Sequence, residues 1–94
     1  MSPSVTVVDD PDEERYEAVV DGAVAGSAFY HLRPGRIVFL HTEVDPAYEG
    51  HGVGSRLANG ALDDARAKGL RVVPRCPFIA HYIREHPEFQ DLVD

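Results

Sequence analysis

Over residues 15–20 apolar and polar side chains alternate, with Tyr16, Ala18 and Val20 on one side of an extended chain. Asp21-Gly22 follows, a pair suited to a tight hairpin turn, so residues 23–32 are expected to return as the next strand. Small side chains at Ala25, Gly26, Ser27 and Ala28 predict a close neighbour or a bulge there. Pro34-Gly35 marks a second turn, and residues 37–44 (IVFLHTEV) read as a strand apolar on both faces, expected to be central and covered on both sides. Asp45-Pro46 ends it. From residue 53 the period changes: Val53, Leu57, Ala61 and Ala65 recur every four positions, with Ala58 and Leu62 widening the stripe. This predicts a helix over 53–68, stopped by Lys68-Gly69. A buried strand is expected at 70–73 and a second helix at 77–85 with proline in its first turn, then a tail whose Phe89 and Leu92 pack back. A further β-branched strand is expected at 4–8, joined to the hairpin by a polar connector over 9–14. The order β, β, β, β, α, β, α describes an α+β chain in which an antiparallel meander leads into a parallel β-α-β crossover and a final helix.

Between the 37–44 strand and the first helix stands YEGHGVGSRL, residues 48–57, with Gly50, Gly52 and Gly54 at alternate positions. A helix N-terminus presents unpaired N–H groups, and glycines entering it let an anion reach the backbone. The alternative is a tight strand-to-helix connection that needs glycine for its dihedral angles. Neither of two familiar phosphate loops fits. No lysine follows the glycines, and Ser55 stands where a dinucleotide fingerprint counted from Gly50 needs its third glycine.

Length, charge and cysteine content narrow the class. The 94 residues are expected to form one domain, with residues 1–14 a partly flexible acidic N-terminus. A formal net charge of −7 argues against nucleic acid as a partner. The acidic ends read as solubilising, or alternatively as an attraction for a cationic amine. No apolar run is long enough for a membrane span, and the start lacks the pattern of a secretory signal. Cys76 is the single cysteine, which accords with a cytoplasmic setting. Cys76, His81 and His86 do not have zinc-ligand spacing, so no metal is expected.

The run VDPAYEGHGVGSRL, preceded by IVFLHTE, resembles the acetyl-CoA-binding core of the GNAT superfamily of N-acetyltransferases, and most of all its short YjdJ-type members. Val44, Pro46, Gly52 and Gly54 match the family pattern, while Glu49 stands where the family usually carries arginine or glutamine. The resemblance spans roughly residues 15–89 and implies a GNAT-like fold with acetyl-CoA as co-substrate. It implies that the pyrophosphate sits on the backbone of Gly50, His51, Gly52, Val53, Gly54 and Ser55. Arg56 either adds charge near the phosphates or is an ordinary exposed helix residue. The resemblance further implies that pantetheine pairs with the backbone of residues 40–44, Thr42 and Val44 among them, that this strand and 70–73 splay apart to admit the thioester, and that backbone N–H groups near Thr42 to Val44 are the oxyanion donors.

For the chemistry, His41 is the first candidate base, taken as in phase with Ile37, Phe39 and Glu43. Its alternative is a structural, hydrogen-bonded histidine. Glu43 completes the pair. Cys76, after Arg75 at a helix start, is the second candidate, as proton donor or transient acetyl acceptor, or else a small buried apolar residue. Tyr82 falls six positions after Cys76 where the family's spacing is seven, and is expected to pack in the core. The expected activity is acetyl transfer to a small-molecule or peptide amine, by a monomer or weak dimer. The rivals are a coenzyme A-binding module without turnover and an interaction domain that has lost the cofactor.

Overall fold

Five strands pair in chain order, β1 (Thr6–Asp10), β2 (Arg15–Val20), β3 (Ala23–Arg33), β4 (Arg36–Val44) and β5 (Arg71–Pro74), in a computed structural model that describes residues 4–94. Residues 1–3 of the expected flexible N-terminus lie outside the described residues. The first four strands are antiparallel neighbours, and β4 pairs parallel with β5 through helix α1 (Val53–Ala67). Helix α2 (Pro77–Glu85) follows β5, and short 3-10 turns lie at Pro11–Glu13, Pro46–Tyr48 and Pro87–Leu92. This is a five-stranded mixed sheet in the element order that the GNAT resemblance implies.

The local chemistry explains the elements. At the β2–β3 turn both Asp21 (φ 51°) and Gly22 (φ 79°) are left-handed, as a type I′ hairpin requires. All six residues of the apolar α1 stripe are buried against the sheet. Phe89 and Leu92 are buried, and the chain end joins the β5 edge through Asp94 N–H to Val72 O at 3.0 Å. Within α1, Gly60 is where β1 crosses: a Cβ there would lie 2.6 Å from Val7 Cβ.

Part of the acidic ends belongs to the fold: the connector expected over 9–14 begins only at Pro11, and Asp9, Asp91 and Asp94 make ion pairs rather than only solubilising the chain, while Asp12, Glu13, Glu85 and Glu88 are exposed. Asp9 and Asp10 belong to β1, opposite Tyr16 and Arg15. Asp9 accepts from Tyr30 Oη at 2.5 Å and Lys68 Nζ at 2.8 Å, and Asp64 accepts from Tyr16 Oη at 2.5 Å and Lys68 Nζ at 2.7 Å. One lysine thus joins two carboxylates whose tyrosines anchor β2 and β3. Burial, then the bond to its carboxylate, pushes both phenols well above the ordinary tyrosine range. Desolvation pushes Asp64 up, but the bonds from Lys68 and Tyr16 outweigh it and hold it below the usual carboxylate range. At the other end, Asp91 pairs with Arg66 and Asp94 with Arg36.

Coverage of β4 also differs from expectation. Gly26 sits against Leu57 of α1, and it pairs with Val44, so Gly26, Ala28, Thr42 and Val44 face the helices. Helix α2 packs beside α1 on this same face, where Asn59 Nδ2 donates to Tyr82 Oη at 3.1 Å. Among the described residues no helix lies on the opposite face, so β4 is covered on one side only.

Candidate functional site

The turn from β4 into α1 explains each of the three glycines. Gly50 (φ 81°) and Gly52 (φ 75°) are left-handed, with nothing within 4 Å of where a Cβ would be. Gly54 is different: a Cβ there would meet Phe78 Cζ of α2 at 3.0 Å. The connection therefore accounts for the glycines, and it also leaves a receptive backbone. Gly52 is the N-cap of α1, no side chain caps the helix, and its first turn holds no acidic residue. The first helical bond is Arg56 N–H to Gly52 O at 3.1 Å, which leaves the N–H groups of Val53, Gly54 and Ser55 without helical partners. An anion fits this position.

Two neighbouring cavities meet at this helix end. One, of about 340 Å³, is bounded by Val44, Glu49, Gly50, Gly52, Gly54 and Phe78, with Val53 and Ser55 also on its wall. The other, of about 350 Å³, is lined by Gly52, Ser55, Arg56, Asn59 and Tyr82. Arg56 therefore adjoins the helix end, whereas His51 is exposed in the turn and lines neither cavity. Phe78, Asn59 and Tyr82 come to the site from α2 and mid-helix. The one sequence signal for Phe78 is an aromatic directly after the proline that opens α2.

Beyond Phe39 the edge of β4 is free of β5. The parallel ladder ends at Phe39 opposite Pro74, and Cys76 N–H donates to Phe39 O at 2.8 Å. Asp45 N–H donates to Ala25 O at 2.8 Å, which turns the backbone of Asp45 and Glu43 toward β3. By the alternation of an antiparallel ladder, the N–H and C=O groups of Thr42 and Val44 point the other way, into the gap left by β5. Cys76, 2% exposed, stands beside this gap on the helix face, with its Sγ 3.3 Å from Thr42 Oγ1. Tyr82 is buried, stacks on His86 at 3.8 Å between ring centroids, and accepts the amide bond from Asn59.

His41 and Glu43 lie on the other face. Tyr30 pairs with Phe39 and Phe29 with His41, so Leu40 is an extra residue in β4. This bulge breaks the two-residue period. Ile37 and Phe39 point into the core, while His41 and Glu43 emerge on the uncovered side, correcting the expectation that all four share a face. His41 Nε2 is 3.1 Å from Glu43 Oε1, and both side chains are exposed. The His41 ring stacks on Phe29 at 6.3 Å between centroids, and Arg15 covers Phe29 from beyond, 5.9 Å from its centroid. The structure thus keeps His41 and Glu43 together and places Cys76 across the sheet from them, with the edge of β4 between. Among the described residues no three His, Cys, Asp or Glu side chains converge as metal ligands, and no helix is long and apolar enough to cross a membrane.

A free β4 edge beside a glycine-entered helix end is the arrangement that the GNAT resemblance implies, and sequence comparison gives the family. The family profile described as GCN5-related N-acetyl-transferase matches residues 15–92, and the chain belongs to that family. Protein NATD1 of Homo sapiens is 43% identical over 53 residues, covering 55% of this chain and 47% of that protein. Protein NATD1 of Xenopus tropicalis is 26% identical over 88 residues, covering 92% of this chain and 81% of that one. Where identity is highest, the match spans about half the length of these curated relatives. The solution structure of a GCN5-like protein from Staphylococcus aureus superposes with a TM-score of 0.71 at 21% identity, covering 95% of this chain and 87% of that chain, and shares the fold.

Proposed function

We propose that the chain is an acetyl-CoA-dependent N-acetyltransferase acting on an amine. The observation that carries this is the uncapped start of α1, which faces two cavities and adjoins the unpaired edge of β4. The N–H groups of Val53, Gly54 and Ser55 suit a pyrophosphate, and Arg56 adds a cation at the same end. Glu49 is the one wall residue of opposite sign. Acetyl-CoA supplies an activated acyl group as a thioester.

The residues of the chain divide the remaining work. The backbone at Thr42 and Val44 offers N–H groups to an amide or thioester oxygen at the gap, where fixed donors stabilise developing negative charge. His41 and Glu43 stand at hydrogen-bonding distance, and one of them takes a proton from an incoming ammonium, since only the neutral amine attacks. Transfer joins the amine nitrogen to the acyl carbon, breaks the carbon–sulfur bond, and leaves a thiolate that needs a proton. Cys76 and Thr42, in contact on the helix face beside the gap, are the groups we assign to deliver it.

Release of free coenzyme A, followed with a thiol reagent across an amine panel, tests the proposal. His41→Ala and Cys76→Ala should each lower turnover at unchanged acetyl-CoA affinity. Full activity in the double variant would remove both from the mechanism. Tight acetyl-CoA binding with no turnover on any amine would leave a cofactor-binding module.

A further inference from the structure

The uncovered sheet face carries an ordered grid next to the β4 gap. Strand register sets Glu17, Ser27 and Glu43 in one row across β2, β3 and β4, and Arg15, Phe29 and His41 in the next. Arg15 bonds Glu17 at 2.8 Å, and His41 approaches Glu43. Ser27 is the small member of its row, so it floors a notch between longer neighbours. A cavity of about 480 Å³ opens there, lined by Val24, Ser27, Glu43, Val44, Asp45 and Pro46.

Two features of this cavity point to a ligand. Ser27 is only 6% exposed, yet its hydroxyl makes no hydrogen bond among the described residues. Among the described residues no fully buried side-chain polar atom lacks a partner, so the hydroxyl keeps some exposure, and Ser27 lines the cavity wall. The second feature is charge. Asp45 Oδ1 accepts from Ala47 N–H at 2.9 Å, which leaves its second oxygen without a bond among the described residues. Glu43 has one oxygen near His41 and the other without a bond. The cavity therefore offers two carboxylate oxygens, one from Glu43 and one from Asp45, and one hydroxyl, all without a hydrogen bond among the described residues. Val44 belongs both to this wall and to that of the cavity at the glycine turn, so the two spaces adjoin across a single residue.

We propose that this notch is the acceptor subsite, taking a primary alkylammonium from the uncovered face with Glu43 as its anion and Ser27 as its hydrogen-bond partner. The proposal rests on the acetyltransferase reading for its purpose, though the subsite itself is a binding claim. It makes the acceptor enter opposite the helices, across β4 from Cys76.

The test is a backbone amide NMR titration at constant ionic strength with 1,4-diaminobutane dihydrochloride, and with 1,4-butanediol as the neutral isostere. Saturable shifts are expected at Val24, Ser27, Glu43, Val44 and Asp45 with the diamine alone. Glu43→Gln should weaken binding about tenfold or more, and Ser27→Ala by about two- to tenfold. Dispersed spectra establish that each variant is folded. Absence of saturable shifts at these residues, equal response to the diol, or unchanged affinity in Glu43→Gln would overturn the subsite. Titrating the same samples with acetyl-CoA separates the two claims. Shifts at residues 50–56 without a diamine response leave the function standing and remove the subsite, and the converse result removes the function and leaves a bare amine site.

Discussion

Replacing Gly60 with alanine tests the packing that holds β1 on the sheet. On an isolated helix the change would stabilise by about 1 kcal/mol, since alanine loses less backbone freedom than glycine. Here the new Cβ would lie 2.6, 2.7 and 2.9 Å from Val7 Cβ, Cγ2 and Cγ1, where ordinary contact begins at 3.4 Å. The obstacle includes the Cβ of a paired strand residue, so no rotamer change relieves it. Helix and strand must separate by most of an ångström, and overpacking of this kind costs about 1–3 kcal/mol. The expected balance is a net loss of about 1 kcal/mol, or about 4–8 °C in Tm for a domain of this size. Urea denaturation of Gly60→Ala, Val7→Gly and the double variant closes a thermodynamic cycle. Each single change should destabilise, and the pair should be coupled favourably by about 1 kcal/mol or more because Val7→Gly removes all three clashing atoms. A more stable Gly60→Ala with additive partners would show that helix propensity alone governs the site, and the reasoning would fail.

Other outcomes follow from the same contacts. Asp64 is held low in the folded state, so its contribution is complete above its unfolded value of about 3.9 and fades as pH falls through the lower folded value. Asp64→Asn should flatten the acid limb of a urea-midpoint profile, by less than about 1 kcal/mol because the pair is partly open to solvent. Lys68 is held high, first by its bond to Asp64, so its contribution is complete below about 10.4 and fades only as pH rises through the higher folded value. Lys68→Met should flatten the alkaline limb. Gly54→Ala should change stability by less than about 0.5 kcal/mol, because the atom it meets is the far end of the Phe78 ring, yet weaken acetyl-CoA binding by narrowing the shared cavity. Calorimetry on that variant beside Phe78→Ala separates lost space from lost contact.

What was legible in the chain was what local chemistry fixes. Val53, Leu57, Ala61 and Ala65 recur every four positions along α1 and all are buried; Asp21-Gly22 admits few other turns; Pro77 opens α2 where expected. What was not legible depended on distant partners. Asp9 looks like the start of a connector until Tyr30 and Lys68 are seen to hold it in β1. The bulge at Leu40 leaves no mark in IVFLHTEV, yet it reverses the face of His41 and Glu43, because a one-residue slip flips every side chain beyond it. Ser27 could be read only as one small residue among several. Its place between Glu17 and Glu43 is a fact of cross-strand register.

The glycine turn carries the central claim, and calorimetric titration with acetyl-CoA tests it most directly. The protein should bind with a micromolar Kd. Gly52→Ala, which places a side chain at φ 75° on the cap of α1, should stay folded by circular dichroism and lose at least about tenfold in affinity as the helix end shifts. No heat at millimolar acetyl-CoA from a folded sample would mean that the glycines serve only the turn, and would contradict the account.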